Sequence, residues 1–446
     1  MKIIIVGAHS IGRHLARLLS RNKEDITVID EDEERLNRIG SDYDLLTLQG
    51  DPSSMKILRE AGTKDADLFI AVSPDQSLNI NCCIIAHALG SKKTVAKIDC
   101  EEYIEEEIAD FYKQLGVDNL IYPEMLAARN INNGLKMSWV RERWDVHNGA
   151  LVMLGIKLRE TCTILNRPLR DLCGPEDPYH VVAVKRGNDT IIPGGNDELK
   201  LYDLAYFMTM KQYIPYIRKI VGKEHYVDVK DVMVMGGGRT AVRAVNTMPA
   251  YMKPKVIEIN HTRCEELDQL LKDDALVING DGRDVSLLMD EGIRNTQAFV
   301  ALTSNAETNI LACLTAKRQG VRKTVAMVES MDYANMAESL DIGTIINKRV
   351  IAASRIYQLM LDADVMNVTF LVSANADVVE LIPKDGSKVT RKPVRDLGLP
   401  QGMTIGGLVR DDKGMLVSGN TQIMPGDSVV VFCHNLNMKK IEKFFN

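Results

Sequence analysis

The sequence is poor in the residue patterns that build metal centres and disulfide frameworks. Its 446 residues include eight cysteines and eight histidines, with no Cys-x-x-Cys pair and no histidine at zinc-finger spacing. No Ser/His/Asp arrangement of a nucleophilic enzyme is recognisable either. The sequence therefore gives no sign of a metal site or of nucleophilic catalysis, and we expect the cysteines to be reduced and mostly buried.

Long apolar runs and an excess of positive charge are also missing. No segment approaches the ~18 to 20 consecutive apolar residues that a bilayer crossing needs, and the apolar start of the chain is too short for a signal peptide. The 61 acidic residues outnumber the 55 basic residues, which leaves a net charge of −6. Such a charge does not attract a polyanion, so these absences predict a cytoplasmic protein that does not bind nucleic acid.

The chain contains two copies of one pattern, and it is long enough for several domains. A shift of 230 residues superimposes Gly50-Asp51 on Gly280-Asp281 and Asn79-Ile80 on Asn309-Ile310. A later segment, Arg167–Leu172, repeats after 225 residues. Because the shift changes inside each half, each half is predicted to consist of two lobes. The predicted boundaries are 1–138, 139–225, 226–362 and 363–446.

The first lobe of each half is predicted to be a doubly wound parallel sheet. Short β-branched runs alternate with amphipathic segments, and Gly62 and Gly90 stand where helices should end. This alternation is typical of an α/β fold with helices on both faces of the sheet. The second lobe of each half is predicted to be a small α+β domain. The predicted strands of the first lobe are Lys2–Val6, Ile26–Ile29, Leu45–Leu48, Leu68–Val72 and Thr94–Ile98.

A glycine-rich loop follows the first predicted strand of each half. Gly7-Ala8-His9-Ser10-Ile11-Gly12 precedes a helix and then a strand that ends in Asp30, and Gly236-Gly237-Gly238-Arg239-Thr240-Ala241 precedes a strand that carries Glu258. This is the Rossmann fingerprint in its structural context, in which the glycines let the backbone approach a pyrophosphate at a helix N-terminus and the acid binds a ribose. Two copies in this context predict nucleotide binding.

The first loop departs from the fingerprint at its middle position. His9 replaces the second glycine, so that its side chain would crowd a pyrophosphate or require an unusual backbone. Either His9 points aside and contributes a hydrogen bond, or the first site binds a smaller or displaced nucleotide, or none. In the second loop the acid is the longer Glu258, which requires a slightly different ribose position.

Polar residues follow the third and fourth strands at the same edge of each sheet. Asp51 and Asp281 follow the third strand, and Ser73 and Thr303 follow the fourth. They could contact an adenosine group, or they could only form turns and helix caps. Asn79 and Asn309 are expected to cap a helix or to form hydrogen bonds between helices.

The segment 132–145 connects the first two lobes and contains both tryptophans, Trp139 and Trp144. It could be a hinge or a contact with neighbouring subunits, but core packing is the interpretation that we favour for its aromatic residues.

The segments that carry a family resemblance are Met1–Gly7, Val28–Leu36, Gly50-Asp51, Asp67–Val72 and Asn79-Ile80, together with the duplicated order of lobes. In these features the sequence resembles the KTN/RCK regulators of potassium transport, over essentially its whole length. The resemblance implies a regulatory subunit without enzyme activity, peripheral to the inner face of the cell membrane. It also implies assembly as a ring, with four subunits expected, under a membrane potassium translocator. NAD(H) or ATP/ADP would be the cofactor.

The candidate nucleotide-binding residues come from the two loops and from the positions that the resemblance indicates. In the first half they are Gly7, His9, Ser10, Ile11, Gly12, Asp30, Arg35, Asp51 and Ser73. In the second half they are Gly236, Gly238, Arg239, Glu258, Arg263, Asp281 and Thr303. Lys97 and Met327 stand where relatives often have an arginine after the fifth strand, and Met327 cannot contact a phosphate by charge.

An NAD(P)-dependent oxidoreductase is the alternative, because the same fingerprint serves hydride transfer. The small lobes, however, lack an evident His/Asp or Lys constellation for a substrate.

Overall fold

A computed structural model describes residues 1–20, 24–172, 177–187, 189–360, 365–371, 376–434 and 438–446. The strands are β1 Lys2–Val6, β2 Asp25–Asp30, β3 Leu46–Gln49, β4 Leu68–Ala71, β5 Thr94–Lys97, β6 Asn119–Ile121, β7 Glu142–Val146, β8 Leu151–Lys157, β9 Tyr179–Arg186, β10 Asp189–Ile191, β11 Leu204–Thr209, β12 Asp231–Met235, β13 Lys253–Glu258, β14 Leu276–Asn279, β15 Ala298–Ala301, β16 Lys323–Met327, β17 Thr344–Ile346, β18 Val365–Leu371, β19 Ala376–Leu381, β20 Met403–Arg410, β21 Lys413–Leu416 and β22 Ser428–Cys433. The helices are α1 Ser10–Ser20, α2 Glu33–Asp42, α3 Met55–Glu60, α4 Gln76–Leu89, α5 Glu106–Gln114, α6 Pro123–Leu135, α7 Ile214–Ile220, α8 Arg239–Asn246, α9 His261–Leu270, α10 Val285–Asp290, α11 Ala306–Arg318, α12 Met331–Ser339, α13 Lys348–Met360 and α14 Met438–Phe445.

Two six-stranded parallel sheets confirm the predicted fold. Their strand orders are β3-β2-β1-β4-β5-β6 and β14-β13-β12-β15-β16-β17. The order reverses between β1 and β4 and again between β12 and β15, and a ligand crevice lies at such a reversal in doubly wound sheets. The sequence analysis missed the sixth strand of each sheet, because β6 and β17 are only three residues long.

The chain divides into two compact units. The first consists mainly of Met1–Leu126, the β1–β6 sheet with its helices, and includes α13. The second contains the two small lobes and the β12–β17 sheet. The four lobe boundaries given above stay a prediction.

The strands of the first sheet form the centre of its core. Ile3, Ile4 and Ile5 are fully buried, as expected for parallel strands that are covered by helices on both faces. The predicted helix-ending glycine at Gly90 is confirmed, because it closes α4 in the left-handed conformation with φ 111°. Gly62 adopts the same region with φ 73° directly after α3.

Most cysteines are buried and free, as predicted. Those that the structure describes as buried are Cys82, Cys83, Cys162, Cys264, Cys313 and Cys433, while Cys100 is partly exposed and Cys173 lies outside the described residues. Burial raises the pKa of the Cys82 and Cys313 thiols to about 12. The described residues contain no group of acidic, histidine and cysteine side chains that could hold a metal ion.

Each small lobe contains a five-stranded sheet whose strand pairs are antiparallel. The two sheets share a core in which Tyr206 and Phe432 stack with ring centroids 6.0 Å apart. Trp139 is 7% exposed in the core of the first small lobe, which confirms the core interpretation for this residue. Trp144 lies on β7 and packs against the shared core. None of the described helices has the length and apolar character of a membrane span.

Candidate functional site

The first and third glycines of the first loop are required by the fold. Gly7 has φ +97°, and a Cβ atom at this position would lie 2.8 Å from the backbone nitrogen of Ser73. A Cβ atom on Gly12 would lie 1.8 Å from the carbonyl oxygen of Gly7. The loop therefore turns sharply at the end of β1 and brings the N-terminus of α1 against the sheet, as the fingerprint predicts.

The second loop has the same turn but leaves its middle position open. Gly236 has φ +98°, and the third position is Ala241, which is 1% exposed. Gly238 precedes α8 with φ −69°, a conformation open to any residue. A Cβ atom on Gly238 would meet nothing within 4 Å. The fold itself does not require glycine at position 238, and the space beside it is free.

An acid at the end of the second strand binds each loop. Asp30 Oδ2 accepts a 2.6 Å hydrogen bond from the Ala8 backbone N–H, and Glu258 Oε2 accepts one of 2.6 Å from the Gly237 N–H. A Cβ atom on Gly237 would lie 2.4 Å from Leu267 Cδ1 and 3.1 Å from Glu258 Oε2, so the second loop is packed closely against both side chains at the position where the first loop carries Ala8.

The two arginines of the candidate set make different contacts. In the first lobe, Arg35 Nη1 lies 3.3 Å from Asp30 Oδ1, and Arg35 Nε pairs with Asp32 at 3.1 Å. In the second lobe, Arg263 Nε donates to the Gly237 carbonyl oxygen at 2.9 Å. Both guanidinium groups therefore lie beside their glycine loop, although only Arg35 pairs with the acid.

His9 lies against Asp30 with an ordinary backbone. Its φ is not positive, so the unusual conformation that was considered for it is not needed. His9 Nδ1 is 3.7 Å from Asp30 Oδ2 and is buried without a hydrogen-bond partner among the described residues. Burial and the charge of Arg35 lower the pKa of His9, although Asp30 acts in the opposite direction. The first loop therefore carries an imidazole beside Asp30 at the position where the second loop has Gly238 and no side chain.

The remaining loop candidates differ in accessibility. Ser10 and Arg239 are the first residues of α1 and α8, and both are exposed at the helix N-terminus. Ile11 is 9% exposed and belongs to the core, so only its backbone can face a ligand. The helix N-termini supply the unpaired N–H groups and the positive end of the helix dipole, which together favour an anion.

The carboxylates after the third strands are engaged in local turns. Asp51 Oδ1 accepts from the Ser53 backbone at 2.8 Å and from its hydroxyl at 2.7 Å. Asp281 pairs with Arg283, with Nη2 and Oδ2 2.7 Å apart. These bonds lower the pKa of both carboxyl groups. The turn interpretation accounts for every contact that these two side chains make here.

Asn79 and Asn309 hold the loops after the fourth strands, which corrects their expected role as helix caps. Asn79 accepts from the Ser73 N–H at 2.8 Å and donates to the carbonyl oxygens of Ser73 and Lys97. Asn309 makes the equivalent bonds to the backbone of Thr303 and Met327. The caps of these helices are Asp75 and Asn305. The repetition of Asn at the same position of both halves was the sequence signal for this role, and both residues are fully buried.

The candidate residues after the fourth strands, Ser73 and Thr303, are therefore held in position by the hydrogen bonds of Asn79 and Asn309. Ser73 is 6% exposed, and its hydroxyl donates to the Asp75 carbonyl oxygen at 3.0 Å. Lys97 Nζ donates to the carbonyl oxygen of Ser73 at 3.1 Å, whereas the corresponding Met327 is 8% exposed and apolar. The structure thus brings the loop after β1, the end of β2 and the loop after β4 together at one edge of each sheet.

Comparison with known proteins gives consistent relatives over the full length. A Trk system potassium uptake protein TrkA of Vibrio alginolyticus is 29% identical, with 98% of this chain and 96% of the relative covered. TrkA proteins of Haemophilus influenzae and Azorhizobium caulinodans are 28% and 27% identical, and each alignment covers 100% of this chain and 98% of the relative.

Solved structures share the fold. A structure described as the GsuK RCK domain has a TM-score of 0.63 at 13% identity, covering 100% of this chain and 94% of that one. The GsuK channel bound to NAD has a TM-score of 0.61 at 14% identity, covering 100% of this chain and 78% of that one.

The family comparison agrees with the duplicated architecture. The TrkA-N domain matches residues 3–123 and 232–348, which contain the two parallel sheets with their glycine loops. The TrkA-C domain matches residues 378–446, within the second small lobe. The chain therefore belongs to the TrkA family, with two TrkA-N domains and a C-terminal TrkA-C domain.

Proposed function

We propose that this chain is a nucleotide-responsive regulatory subunit of a membrane potassium-uptake transporter. Its relatives carry the name of potassium uptake proteins over their full length. Among structures with the same fold, one is the GsuK channel bound to NAD and another is GsuK bound to ADP. The proposal places the chain on the cytoplasmic side of the membrane, at its inner face, without enzyme activity of its own.

The open second loop is the observation that carries the nucleotide assignment. At Gly238 the fold tolerates a side chain but the sequence has none, directly in front of the N-terminus of α8. The fold does not require glycine at this position, so we attribute the absence of a side chain to a ligand group that approaches the backbone there. A pyrophosphate fits this place, because the N–H groups of the helix N-terminus and exposed Arg239 favour an anion.

The ligand is NAD(H) or ATP/ADP, since each combines phosphates with a ribose diol. Glu258 would accept hydrogen bonds from the diol in the second crevice, and Asp30 would do so in the first. The first crevice, with His9 at the position of Gly238, would take the ligand more weakly or in a displaced position. When bound, the nucleotide supplies negative charge and contacts that join the glycine loop to the loop after the fourth strand.

Regulation follows from the difference in nucleotide affinity between two conformations. A ligand shifts such an equilibrium only by the ratio of its affinities for the two states. The proposed assembly is a ring of copies of this chain, with four subunits expected, that contacts the translocator. The nucleotide would favour one shape of the ring and thereby one state of the pore.

The test of nucleotide binding compares substitutions at one open position. Calorimetry with NADH, NAD, ATP and ADP should show binding to the wild type and loss of binding in the second crevice of Gly238→Trp. Gly238→Ala is the smaller matched change and should weaken binding less. His9→Gly should strengthen binding in the first crevice. Unchanged affinity in Gly238→Trp would show that the second loop does not bind the ligand.

Two further measurements test the regulatory role. Affinity purification from cells should recover a potassium translocator with the wild-type chain, and mass determination should give a ring of four copies. NADH oxidation with a panel of carbonyl compounds should give no turnover. Turnover would favour the oxidoreductase alternative and would contradict the proposal.

A further inference from the structure

A basic cavity lies at the opposite edge of the second sheet from the glycine loop. It has a volume of about 540 Å³ and is lined by the start of β16 and β17, the end of β8 and the segments 138–141 and 222–226. The glycine loop follows the other end of β12, because all strands of this sheet run in parallel. The cavity is therefore separate from the candidate nucleotide crevice. Its volume lies within the ~300 to 1,000 Å³ of small-molecule sites.

Seven basic side chains line this cavity, and none of the described lining residues is acidic. They are Arg141, Lys157, Arg159, Lys223, Lys317, Arg322 and Lys323.

Nearby acids compensate only part of this positive charge. Asp341 pairs with Arg141, Arg159 and Lys317, and Glu338 lies 3.6 Å from Lys157. Glu142 acts on Lys323 through its charge. These three carboxylates face seven basic side chains, six of them besides Lys323, and such a concentration of one sign in a concave site attracts an oppositely charged ligand.

Lys323 lines the cavity and is buried, and it forms no ion pair with the described residues. It is 3% exposed, and its Nζ donates to the Val140 carbonyl oxygen at 2.6 Å and to Thr344 Oγ1 at 3.0 Å. Burial and the charge of Arg141 lower the pKa of Lys323 to about 7. The corresponding Lys93 of the first half is exposed. Burial of this lysine is therefore a particular feature of the second half.

Arg141 has an unused donor at the same cavity. Its Nη2 pairs with Asp341, but its Nη1 is buried and has no hydrogen-bond partner in the part of the chain that the structure describes. A buried donor without a partner is costly, because it has lost its hydration without compensation. An anion in the cavity would supply the missing acceptor.

The ring of Tyr226 contacts two of the basic groups that line the cavity. Lys223 Nζ lies 4.7 Å and the Arg322 guanidinium 5.3 Å from the centroid of the Tyr226 ring. Contact with a ring orients these groups and leaves N–H donors available. Trp139 also lines the cavity, so its fluorescence should report on a ligand there.

We propose that this cavity binds a compact anion with three or more negative charges, specifically a polyphosphate group. Polyphosphate oxygens suit a site that combines several Lys and Arg donors, because such hydrogen bonds are charge-assisted. The source is either an inorganic polyphosphate or the phosphate chain of a nucleotide. The ligand would join the first small lobe to the second sheet and so act as a second effector, independent of the crevices.

The experiment uses the full chain and inorganic tripolyphosphate as the probe. Calorimetry and Trp139 fluorescence should show binding that weakens as salt rises, because the contacts are ionic. Arg159→Gln combined with Arg322→Gln removes two of the positive charges that line the cavity and should weaken tripolyphosphate binding at least tenfold. The matched control, Arg59→Gln with Arg294→Gln, removes two exposed charges elsewhere and should bind like the wild type.

Two further measurements distinguish this cavity from the nucleotide crevices and identify the source of the polyphosphate group. Gly238→Trp should keep its affinity for tripolyphosphate, whatever happens to NADH binding. If Arg159→Gln with Arg322→Gln weakens the affinity for ATP and for tripolyphosphate equally, the polyphosphate group belongs to a nucleotide. If it weakens the affinity for tripolyphosphate alone, the ligand is an inorganic polyphosphate. Exposed Arg322→Glu repeats the test with a single surface change. Equal tripolyphosphate affinity in the wild type and both cavity variants, or no binding at all, would overturn the proposal.

Discussion

Replacement of Asp341 by asparagine should destabilise the second unit. The Asp341 carboxylate pairs with Arg141, Arg159 and Lys317. Burial raises the pKa of Asp341, but the charges of Arg141, Lys317 and Arg159 outweigh it and lower the pKa from 3.8 to about 2. This difference corresponds to roughly 2 to 3 kcal/mol of unfolding free energy. Asn tolerates the positive φ of 57° at this position, so the backbone should not add to the loss.

The pH dependence gives the sign of the effect. Because the folded pKa of Asp341 is lowered, its contribution is present in full well above pH 3.8 and is lost as the pH falls from there through about 2. The difference between wild type and Asp341→Asn should therefore be about 2 kcal/mol at pH 7 and about half of that at pH 3.

Urea unfolding followed by tryptophan fluorescence is the assay. Both tryptophans of the chain, Trp139 and Trp144, lie in the second unit, so the signal reports on that unit alone. Asp273→Asn removes an exposed carboxylate and should leave the unfolding midpoint unchanged. Equal midpoints for Asp341→Asn and wild type at pH 7, or a difference that does not shrink at pH 3, would refute the electrostatic reasoning.

Three further predictions concern the second unit and use the same unfolding assay. Gly236→Ala should lower the free energy of unfolding by about 1 to 3 kcal/mol, because it places a side chain at φ +98°. Gly238→Ala should change it by less than about 0.5 kcal/mol, because the new Cβ atom meets nothing within 4 Å. Equal effects of the two substitutions would contradict the turn assigned to Gly236. Asn309→Ala should cost about 2 kcal/mol, because it leaves backbone groups of Thr303 and Met327 unpaired; a neutral result would show that the loop is held otherwise. Burial lowers the pKa of Lys323 to about 7, so the wild-type protein must release a proton from this lysine when it folds between pH 7 and 9. As the pH falls from 9 towards 7, Lys323→Met should therefore gain stability relative to wild type by up to about 1.4 kcal/mol per pH unit. A difference in stability that does not change with pH would contradict the burial of Lys323.

The repeated fold was predictable because its signals are local. The strands β1 and β4 carry continuous apolar runs, and Gly7 and Gly236 take the positive φ that the fingerprint requires. Strand β6 was missed because three residues carry no periodicity. Its pairing with β5 depends on tertiary contacts that no short window contains.

The grouping of the candidate residues at one edge of each sheet was predictable, but their contacts were not. The sequence indicated Asp30 and Glu258 from their distance to the glycine loops, yet the bonds of each acid to the loop N–H depend on side-chain length. Asn79 was expected to cap a helix or to form hydrogen bonds between helices, because these are the usual roles of Asn near a helix start. The basic cavity escaped notice, since its cations come from segments that are far apart in sequence.

The packing around Gly237 restricts how the two halves of the chain can diverge. A Cβ atom at position 237 would lie 2.4 Å from Leu267 Cδ1 and 3.1 Å from Glu258 Oε2, whereas the first half carries Ala8 beside the shorter Asp30. A side chain at position 237 therefore requires Leu267 to move or to change as well, so the second loop cannot acquire the residue of the first loop by a single neutral substitution.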